Sequence, residues 1–261
     1  MMRSLWQSFT LSFAMYSSIP MPRVNWDEGA MRYVFCFFPA IGIVIGACQL
    51  IWFALASRLE LLNGLLFAAV SALIPVCLTG GIHLDGFCDT CDALGSHQSR
   101  ERRLEILKDS HIGAFALIGC CAWFLFDAAL WGEAEIAPGS VYVLALIPVL
   151  SRSLSGLCSV TMKNARGSGL LADFANASQH RTVRTTLVIW LLLTAAGMLC
   201  FGGGLGLAAL LGAGIALVYF IRMSRRIFGG ITGDLAGWFL QMCELISLTA
   251  VVLMQKVSVI L

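Results

Sequence analysis

The feature that most constrains this chain is a series of seven long apolar runs, each about as long as a membrane-spanning helix. They cover residues 35–56, 61–79, 112–131, 141–160, 187–203, 205–221 and 235–256. A helix of about 20 apolar residues crosses the hydrocarbon core of a bilayer, and none of the runs alternates as a membrane β-barrel strand does. The sequence therefore predicts an all-α, polytopic transmembrane helical bundle with seven spans.

Composition favours a membrane protein over a soluble one. Hydrophobic residues make up 59% of the chain and charged residues only 12%, whereas soluble domains average about 45–50% apolar and about 25% charged. A soluble fold of this length could not bury so much apolar surface, but membrane lipid solvates it. The net charge of +2 gives no reason to expect a nucleic-acid partner, because the basic residues lie between the apolar runs.

The first twenty residues predict an additional helix that lies on the membrane surface. Its aromatic residues fall near one helical face: Trp6, Phe9, Phe13 and Tyr16. Such a helix binds in the interface with its apolar face toward the lipid. Pro20 and Pro22 should end it, because proline cannot continue a helix.

Basic residues are concentrated in the N-terminal segment and in three polar loops. The loops are 80–111, 161–186 and 222–234, and the connections between them carry little positive charge. Because cytoplasmic loops are enriched in Lys and Arg, we expect the N-terminus and all three loops in the cytoplasm and the C-terminus outside. Residues 1–261 then form a single integral membrane domain whose polar motifs share one face.

Three aspartates in the first polar loop are spaced for one face of a helix. Asp85, Asp89 and Asp92 stand at positions i, i+4 and i+7, and each like-charged pair at such spacing destabilises a helix by about 0.2–0.5 kcal/mol. No Lys or Arg lies between residues 59 and 99 to neutralise them. A solvated acidic helix end is the simpler interpretation. Mg²⁺ explains the pattern better, because it binds carboxylate oxygens and shares its other sites with substrate phosphates.

Two cysteines alternate with these aspartates and offer a competing interpretation. Cys88 and Cys91 form a CxxC pair, which occurs in redox motifs and as half of a zinc site. His83 and His97 are near enough in sequence to complete a Cys₂His₂ site. We favour the aspartates as the functional residues, with His83 as a hydrogen-bonded structural residue or a substrate contact.

Further charged residues occur at the membrane boundary and within the apolar runs. Lys108 is suited to bind phosphate as a point charge, and the adjacent Asp109 is a further candidate metal ligand. Arg152 lies inside an apolar run, where ionisable residues usually face the bundle interior. It either pairs with Asp127 of the preceding run or contacts a substrate phosphate. We prefer a site role for Arg152 and a structural role for Asp127.

Glycine-rich stretches in the other two loops add weaker signals. The stretch 164–170 joins Arg166 to glycines that let backbone N–H groups approach an anion. The stretch 229–234 ends at Asp234, which is well placed to cap the helix of the last run. Glu244 lies within that run, where an isolated carboxylate is costly and indicates a polar cavity.

Taken in order, the motifs resemble those of one known family. They are HLDGFCDTCD at 83–92, ERRLEILKDSHIG at 101–113, Ser151–Arg152, ARGSG at 165–169, and GGITGD at 229–234 with CEL at 243–245. This set is similar to that of the adenosylcobinamide-GDP ribazoletransferases, also called cobalamin synthases. The resemblance covers nearly the whole chain.

The resemblance implies a reaction, a cofactor and a location. Members of the family join adenosylcobinamide-GDP to α-ribazole or its 5′-phosphate, release GMP, require Mg²⁺ and reside in the inner membrane. The implied ligands of the metal and pyrophosphate are Asp85, Asp89, Asp92 and Asp109, with Asp89 or Asp92 as the general base. The implied substrate contacts are His83, Lys108, Arg152, Arg166 and Asp234. The active site would face the cytoplasm, and the sequence allows a homo-oligomer without fixing the oligomeric state.

Two other classes of membrane protein remain as alternatives. CDP-alcohol phosphotransferases also use clustered Asp with Mg²⁺, but their pattern has Asp-Gly followed by an Ala-Arg pair where this loop has Cys-Asp-Thr-Cys-Asp. Transporters often place ionisable groups at the membrane midplane between two related halves. Here the charge clusters lie at one face and the sequence has no evident repeat. Release of GMP, of CMP, or of neither nucleotide would separate the three classes.

Overall fold

The computed structural model describes residues 2–260, which are almost entirely helical. The first half contains α1 (Met2–Tyr16), α2 (Glu28–Met31), α3 (Val34–Arg58), α4 (Leu65–Thr79), α5 (Ile82–Gly95), α6 (Arg100–Ile106) and α7 (Ala114–Glu133). The second half contains α8 (Pro138–Thr161), α9 (Leu170–Ala177), α10 (His180–Gly202), α11 (Gly204–Met223) and α12 (Gly233–Ile260). A π-helical turn, Ser224–Phe228, follows α11. Because residues 2–260 contain no β-sheet, the all-α prediction is confirmed.

Among residues 2–260, six helices are long and apolar enough to cross a membrane: α3, α7, α8, α10, α11 and α12. A seventh crossing is present if α4 and α5, which meet at 98°, are counted as one broken span. With 15 residues, α4 is only about 22 Å long, which is less than the hydrocarbon thickness of about 30 Å. Its helix begins at Leu65 rather than at the predicted residue 61. The positive φ angles of Glu60 (56°) and Asn63 (62°) interrupt the helix before that point.

Two consecutive glycines make the sharp turn between α4 and α5. Gly80 and Gly81 have φ angles of 63° and 77°, in the left-handed region that glycine adopts most readily. After this turn α5 leaves the axis of α4 and packs on α7 and α12. We therefore place α5, with its aspartates, outside the membrane-spanning segments.

The core of the bundle is built around α8, against which α3 and α10 pack. Gly42 and Gly46 of α3 face the backbone of α8 at Pro148 and Ala145. They lie so close that a methyl group at either glycine would overlap a backbone carbonyl group. Two glycines one turn apart are a common way for membrane helices to approach closely.

The predicted N-terminal helix forms and ends at Tyr16, before Pro20. Its central turns are more enclosed than those of a helix that only lies on a membrane, because Ser8 and Leu11 are fully buried. The Ser8 hydroxyl donates a 2.7 Å hydrogen bond to the carbonyl of Ala30. Packing of α1 on α3 brings Tyr16 to the same cavity wall as α5.

Candidate active site where α5, α8 and α12 meet

A cavity of about 310 Å³ lies where α5, α8 and α12 meet. Apolar and aromatic side chains make up most of its wall. The polar side chains on the wall are Tyr16, His83, Asp85, Ser155, Ser159, Asn164, Arg166, Ser168, Thr232 and Asp234. Of the predicted site residues, the cavity therefore brings together His83, Asp85, Arg166 and Asp234.

The three polar loops meet beside this cavity. The backbone N–H of Ala165 donates to the carbonyl of Ile231, and that of Ile231 donates to the carbonyl of Lys163, both at 2.9 Å. Arg166 also reaches the first loop, where its Nη2 lies 3.4 Å from the carbonyl oxygen of Leu104. The loops 80–111, 161–186 and 222–234 therefore lie at the same end of the bundle.

Arg166 and Asp234 form an ion pair on the cavity wall. Nη2 of Arg166 lies 3.2 Å from a carboxylate oxygen of Asp234, and both side chains remain partly exposed. The sequence allowed Asp234 to cap α12, but Thr232 has that role, since its hydroxyl oxygen accepts a hydrogen bond from the N–H of Leu235. The Asp234 carboxylate therefore points to Arg166, and the cavity gains one positive and one negative group.

Asn164 organises the glycine-rich loop. Its side-chain oxygen accepts hydrogen bonds from the N–H groups of Arg166 (2.9 Å) and Gly167 (2.8 Å). The expectation that this loop offers free N–H groups to an anion is therefore wrong for these two positions. The loop presents the side chain of Arg166 to the cavity, and the backbone N–H of this residue is already engaged.

Asp85 is exposed at the cavity wall, and Asp89 lies one helical turn farther along α5. Partial burial raises the pKa of Asp89 to about 7, and neighbouring negative charges add to the shift. Those charges belong to Asp85, Asp234 and Asp92, and they outweigh the opposing effect of Arg166. This region therefore holds more negative charge than its own basic residues neutralise, as is expected of a cation site.

Asp92 has a different environment from the other two aspartates. Its carboxylate oxygens accept hydrogen bonds from the N–H groups of Gly113 (2.6 Å) and Ala116 (2.8 Å). These groups belong to the start of α7, where backbone donors lack partners within the helix and a negative charge is favourable. Asp92 thus ties α5 to α7, and this contact competes with the metal-binding and general-base roles predicted for it.

Lys108 and Asp109 lie in an exposed turn between α6 and α7, and neither is part of the cavity wall. The Asp109 carboxylate is 2.6 Å from Nδ1 of His111, and this hydrogen bond lowers the pKa of Asp109. The roles predicted for Lys108 in phosphate binding and for Asp109 in metal binding would require this turn to move toward α5.

Arg152 is almost completely buried and does not reach the cavity wall. Its Nη1 lies 2.7 Å from the Glu244 carboxylate and 3.0 Å from the carbonyl oxygen of Pro148. The Ser151 hydroxyl donates to the same carboxylate at 2.7 Å. This position does not support the predicted substrate contact, because the guanidinium is enclosed and already neutralised. Nor is Asp127 its ion-pair partner; Arg152 instead joins α8 to α12.

Three rings form an aromatic part of the cavity wall, and the sequence pointed to only one of them. His83 stacks on Tyr16 with ring centroids 6.0 Å apart, and it meets Phe38 at 5.6 Å and an interplanar angle of 62°. Burial, with a smaller effect of the Arg152 charge, lowers the pKa of His83 well below its usual value, so the ring is neutral. Tyr16 and Phe38 lie in segments whose pattern predicts only an interfacial helix and a span.

Cys88 and Cys91 lie against α7, where both approach Cys120. Burial is the main cause that raises the pKa of Cys88 to about 12 and that of Cys91 to about 11, so both thiols are protonated at neutral pH. His83 and His97 lie near opposite ends of α5. The two histidines therefore do not complete a four-ligand site with these cysteines.

Within residues 2–260, no three His, Cys, Asp or Glu side chains are grouped so that they could hold a metal ion by themselves. A site that uses all four predicted ligands does not fit, because the carboxylates of Asp92 and Asp109 are engaged elsewhere. Mg²⁺ commonly takes one or two carboxylates and fills its other positions with water and phosphates. Such a site fits the acidic surface formed by Asp85, Asp89 and Asp234, where burial and then the charges of Asp85 and Asp234 raise the pKa of Asp89.

Comparison with known proteins agrees with the resemblance seen in the motifs. A family model described as cobalamin-5-phosphate synthase matches residues 8–252. The adenosylcobinamide-GDP ribazoletransferase of Lachnoclostridium phytofermentans is 42% identical over 258 residues, which cover 99% of this chain and 96% of that protein. Two further proteins of the same name are similar. The one from Clostridium botulinum strain Alaska E43 is 31% identical over 95% of this chain and 97% of that protein. The one from Desulfitobacterium hafniense strain Y51 is 32% identical over 95% of this chain and 95% of that protein. No solved structure matches the chain significantly. Because these matches span nearly the whole chain, this protein belongs to the cobalamin-5-phosphate synthase family.

Proposed function

We propose that this protein is an adenosylcobinamide-GDP ribazoletransferase, which joins adenosylcobinamide-GDP to α-ribazole or α-ribazole 5′-phosphate and releases GMP. The structural observation that carries the proposal is the meeting of Asp85 with the Arg166–Asp234 ion pair at one cavity. Family membership supports the same activity, because the similar proteins carry this name. Family membership therefore supports this activity over the two alternatives, a CDP-alcohol phosphotransferase and a transporter.

Arg166 is the residue best placed to bind a substrate phosphate. Its guanidinium is partly exposed on the cavity wall, and guanidinium groups bind phosphate through two parallel hydrogen bonds. The ion pair with Asp234 orients the side chain before substrate binds. A phosphate that enters the cavity then meets a positive group already held in place.

We further propose that the pyrophosphate binds together with Mg²⁺. One or two of the carboxylates of Asp85, Asp89 and Asp234 would hold the ion, with water and substrate phosphates as its remaining ligands. When bound, Mg²⁺ neutralises charge that develops on the transferred phosphoryl group. The pKa of Asp89 is raised first by burial and then by the charges of Asp85, Asp234 and Asp92. The repulsion among these carboxylates supports the assignment, because a bound cation would relieve it.

The proposed reaction is an in-line displacement at the phosphorus nearest the cobinamide. The 3′-hydroxyl oxygen of the ribose bonds to that phosphorus, the bond to the bridging oxygen breaks, and GMP leaves with the bonding electrons. The hydroxyl proton passes to a carboxylate that acts as general base. Asp89 is the better of the two predicted bases, because the oxygens of Asp92 already accept two backbone hydrogen bonds.

We also propose that the enzyme spans the cell inner membrane several times with this site facing the cytoplasm. The number of long apolar helices supports several crossings of a membrane. The basic residues of the three polar loops support a site that faces the cytoplasm, because Lys and Arg are enriched on the cytoplasmic side.

The activity can be tested with purified protein or with membranes that contain it. Incubation with adenosylcobinamide-GDP, α-ribazole and Mg²⁺ should yield cobalamin and GMP, which chromatography detects separately. Release of CMP from a CDP-alcohol, or no nucleotide release from either substrate, would contradict the proposal.

The role of α5 can be tested by removing one carboxylate charge at a time. Asp85→Asn and Asp89→Asn keep the side-chain shape, and each should lower kcat by about 10²–10³ or more. The double variant should be little worse than either single variant, because residues that act as a unit are not additive. Glu101→Gln changes an exposed carboxylate on α6 and should keep full activity as the control. Near-normal turnover of both Asp variants at limiting Mg²⁺ would exclude α5 from the active site.

A further inference from the structure

The cavity is too small to enclose both substrates. Its volume of about 310 Å³ is at the lower end of the range of about 300–1,000 Å³ for pockets that bind drug-sized ligands. A corrinoid ring with its attached nucleotide is several times larger than a nucleoside. The cavity therefore suits one nucleoside-sized group, and the corrinoid must lie outside it.

The wall of the cavity differs in chemistry from one part to another. The charged part contains Asp85 and the Arg166–Asp234 ion pair, which suit phosphates rather than a flat ring. The aromatic part consists of Tyr16, Phe38 and His83, and we call these three side chains the ring cluster. Their centroids lie 4.6 Å (Tyr16 to Phe38), 6.0 Å (Tyr16 to His83) and 5.6 Å (Phe38 to His83) apart.

His83 adds an unsatisfied polar atom to the ring cluster. The residue is only 5% exposed, and among residues 2–260 its Nε2 has no hydrogen-bond partner. A buried polar atom without a partner is destabilising, and a ligand group that pairs with it removes that cost. A neutral imidazole nitrogen serves as donor or acceptor according to its tautomer, so either a hydroxyl or a ring nitrogen of a ligand can satisfy it.

We infer that the cavity binds the heteroaromatic base of α-ribazole against the ring cluster, with His83 hydrogen-bonded to the nucleoside. The inference rests on the proposed function, and it adds which substrate occupies the cavity and which residues bind its base. Stacking on an aromatic side chain suits any flat base. With the base in this position, the ribose lies toward Asp85 and Arg166, where its hydroxyl meets the pyrophosphate of the other substrate.

Equilibrium dialysis of labelled α-ribazole against the purified full-length chain tests this without any corrinoid. Phe38→Leu should raise the Kd for α-ribazole about tenfold, which corresponds to about 1.4 kcal/mol and is within the range for one lost base–aromatic stack. Phe53→Leu is the matched control, because Phe53 is also buried on α3 but is not on the cavity wall. Its Kd should equal that of the wild type.

A second pair of variants makes the test independent of the folding of Phe38→Leu. Tyr16→Phe keeps the ring and Tyr16→Leu removes it, so Tyr16→Leu should bind α-ribazole more weakly than Tyr16→Phe. In the activity assay, the variants that lose a ring should raise the KM for α-ribazole and leave the KM for adenosylcobinamide-GDP unchanged. A merely structural role would move both KM values or neither.

Two results would overturn the inference. One is wild-type affinity for α-ribazole in both Phe38→Leu and Tyr16→Leu. The other is an increase in KM for adenosylcobinamide-GDP instead, which would put the larger substrate in the cavity. The proposed function fails separately, if wild-type protein binds α-ribazole at the ring cluster but releases no GMP from adenosylcobinamide-GDP.

Discussion

Asp89 is a carboxyl group whose charge depends on its neighbours. Partial burial, together with the like charges around it, raises its pKa from an ordinary value of 3.8 to about 7. The folded protein therefore binds one more proton at this site than the unfolded chain between about pH 4 and pH 7. The stabilising contribution of this proton is fully present below about pH 4 and is lost as the pH rises to about 7.

Metal-free wild-type protein should accordingly lose thermal stability as the pH rises from about 5 to 8, and Asp89→Asn should lose less because it has no proton to release. At the upper pH, added Mg²⁺ should raise the Tm of the wild type more than that of Asp89→Asn, since a ligand that binds only the folded state stabilises it. Thermal denaturation in detergent measures both effects, with Glu101→Gln as the control. If the Tm of Asp89→Asn falls with pH and rises with Mg²⁺ as much as that of the wild type, Asp89 is not part of the cation site.

The Arg152–Glu244 pair should act on stability rather than on substrate binding. Arg152→Met leaves a carboxylate buried without its partner, and breaking a buried pair in this way costs about 3–5 kcal/mol. The double variant Arg152→Met/Glu244→Gln should recover most of that loss, because neither member of the pair is then charged. Its KM values should match the wild type, since Arg152 is not on the cavity wall. A raised KM for adenosylcobinamide-GDP in a stable double variant would instead support the predicted contact between Arg152 and the substrate.

Some neighbours in the site follow from local spacing, whereas others depend on tertiary packing. Asp85 and Asp89 could be grouped from the sequence, because residues four apart adjoin on one helix. The partners of Asp92 and Arg152 could not, since they lie 21, 24 and 92 residues away along the chain. Tyr16 and Phe38 likewise join His83 only because α1 and α3 pack beside α5.

At the scale of helices, the apolar spans were predictable and the course of α5 was not. Lipid cannot satisfy backbone polar groups, so a long apolar run must form a helix whose hydrogen bonds are internal. The sequence also predicted the end of the second apolar run at residue 79, where α4 ends. The 98° angle between α4 and α5 depends on how α5 packs on α7 and α12, which no local pattern contains.

Gly86 controls how closely α5 approaches α12. A Cβ atom at this position would lie 2.8 Å from both the Cα and the carbonyl oxygen of Asp234, and a backbone cannot move aside as a flexible side chain can. Gly86→Ala should therefore displace α5 from the Arg166–Asp234 pair and lower kcat strongly. Gly214→Ala is the control, because that position in α11 has no atom near the added methyl group. It should keep full activity and gain up to about 1 kcal/mol in stability from the better helix propensity of Ala. Equal activity of the two variants would show that the close contact of α5 with α12 is not needed.

At the scale of the whole molecule, contacts between distant segments fix which helix ends lie together. The Tyr33 hydroxyl, just before α3, donates a 2.6 Å hydrogen bond to the side-chain oxygen of Gln179 in the second polar loop. The start of α7 is held at the same end by Asp92. At the far end, Lys256 of α12 pairs with Glu133 of α7 at 2.8 Å. The chain thus leaves the polar end through α3 and must return to it before α7 begins.

That return can only be made by α4, so α4 counts as a crossing despite its 15 residues. Seven crossings put the two termini on opposite sides of the membrane, whereas six would put them on the same side. With the basic loops inside, a green fluorescent protein fused after residue 169 should fluoresce, and the same reporter fused after residue 62, between α3 and α4, should be dark. Alkaline phosphatase at the same two positions should give the reverse pattern, which controls for expression. The same fluorescence at both positions would mean that α4 does not cross the membrane. A dark fusion after residue 169 with a fluorescent fusion after residue 62 would turn the cavity outward. An outward cavity would face away from nucleotide substrates that are made in the cytoplasm and are too highly charged to cross the bilayer unaided.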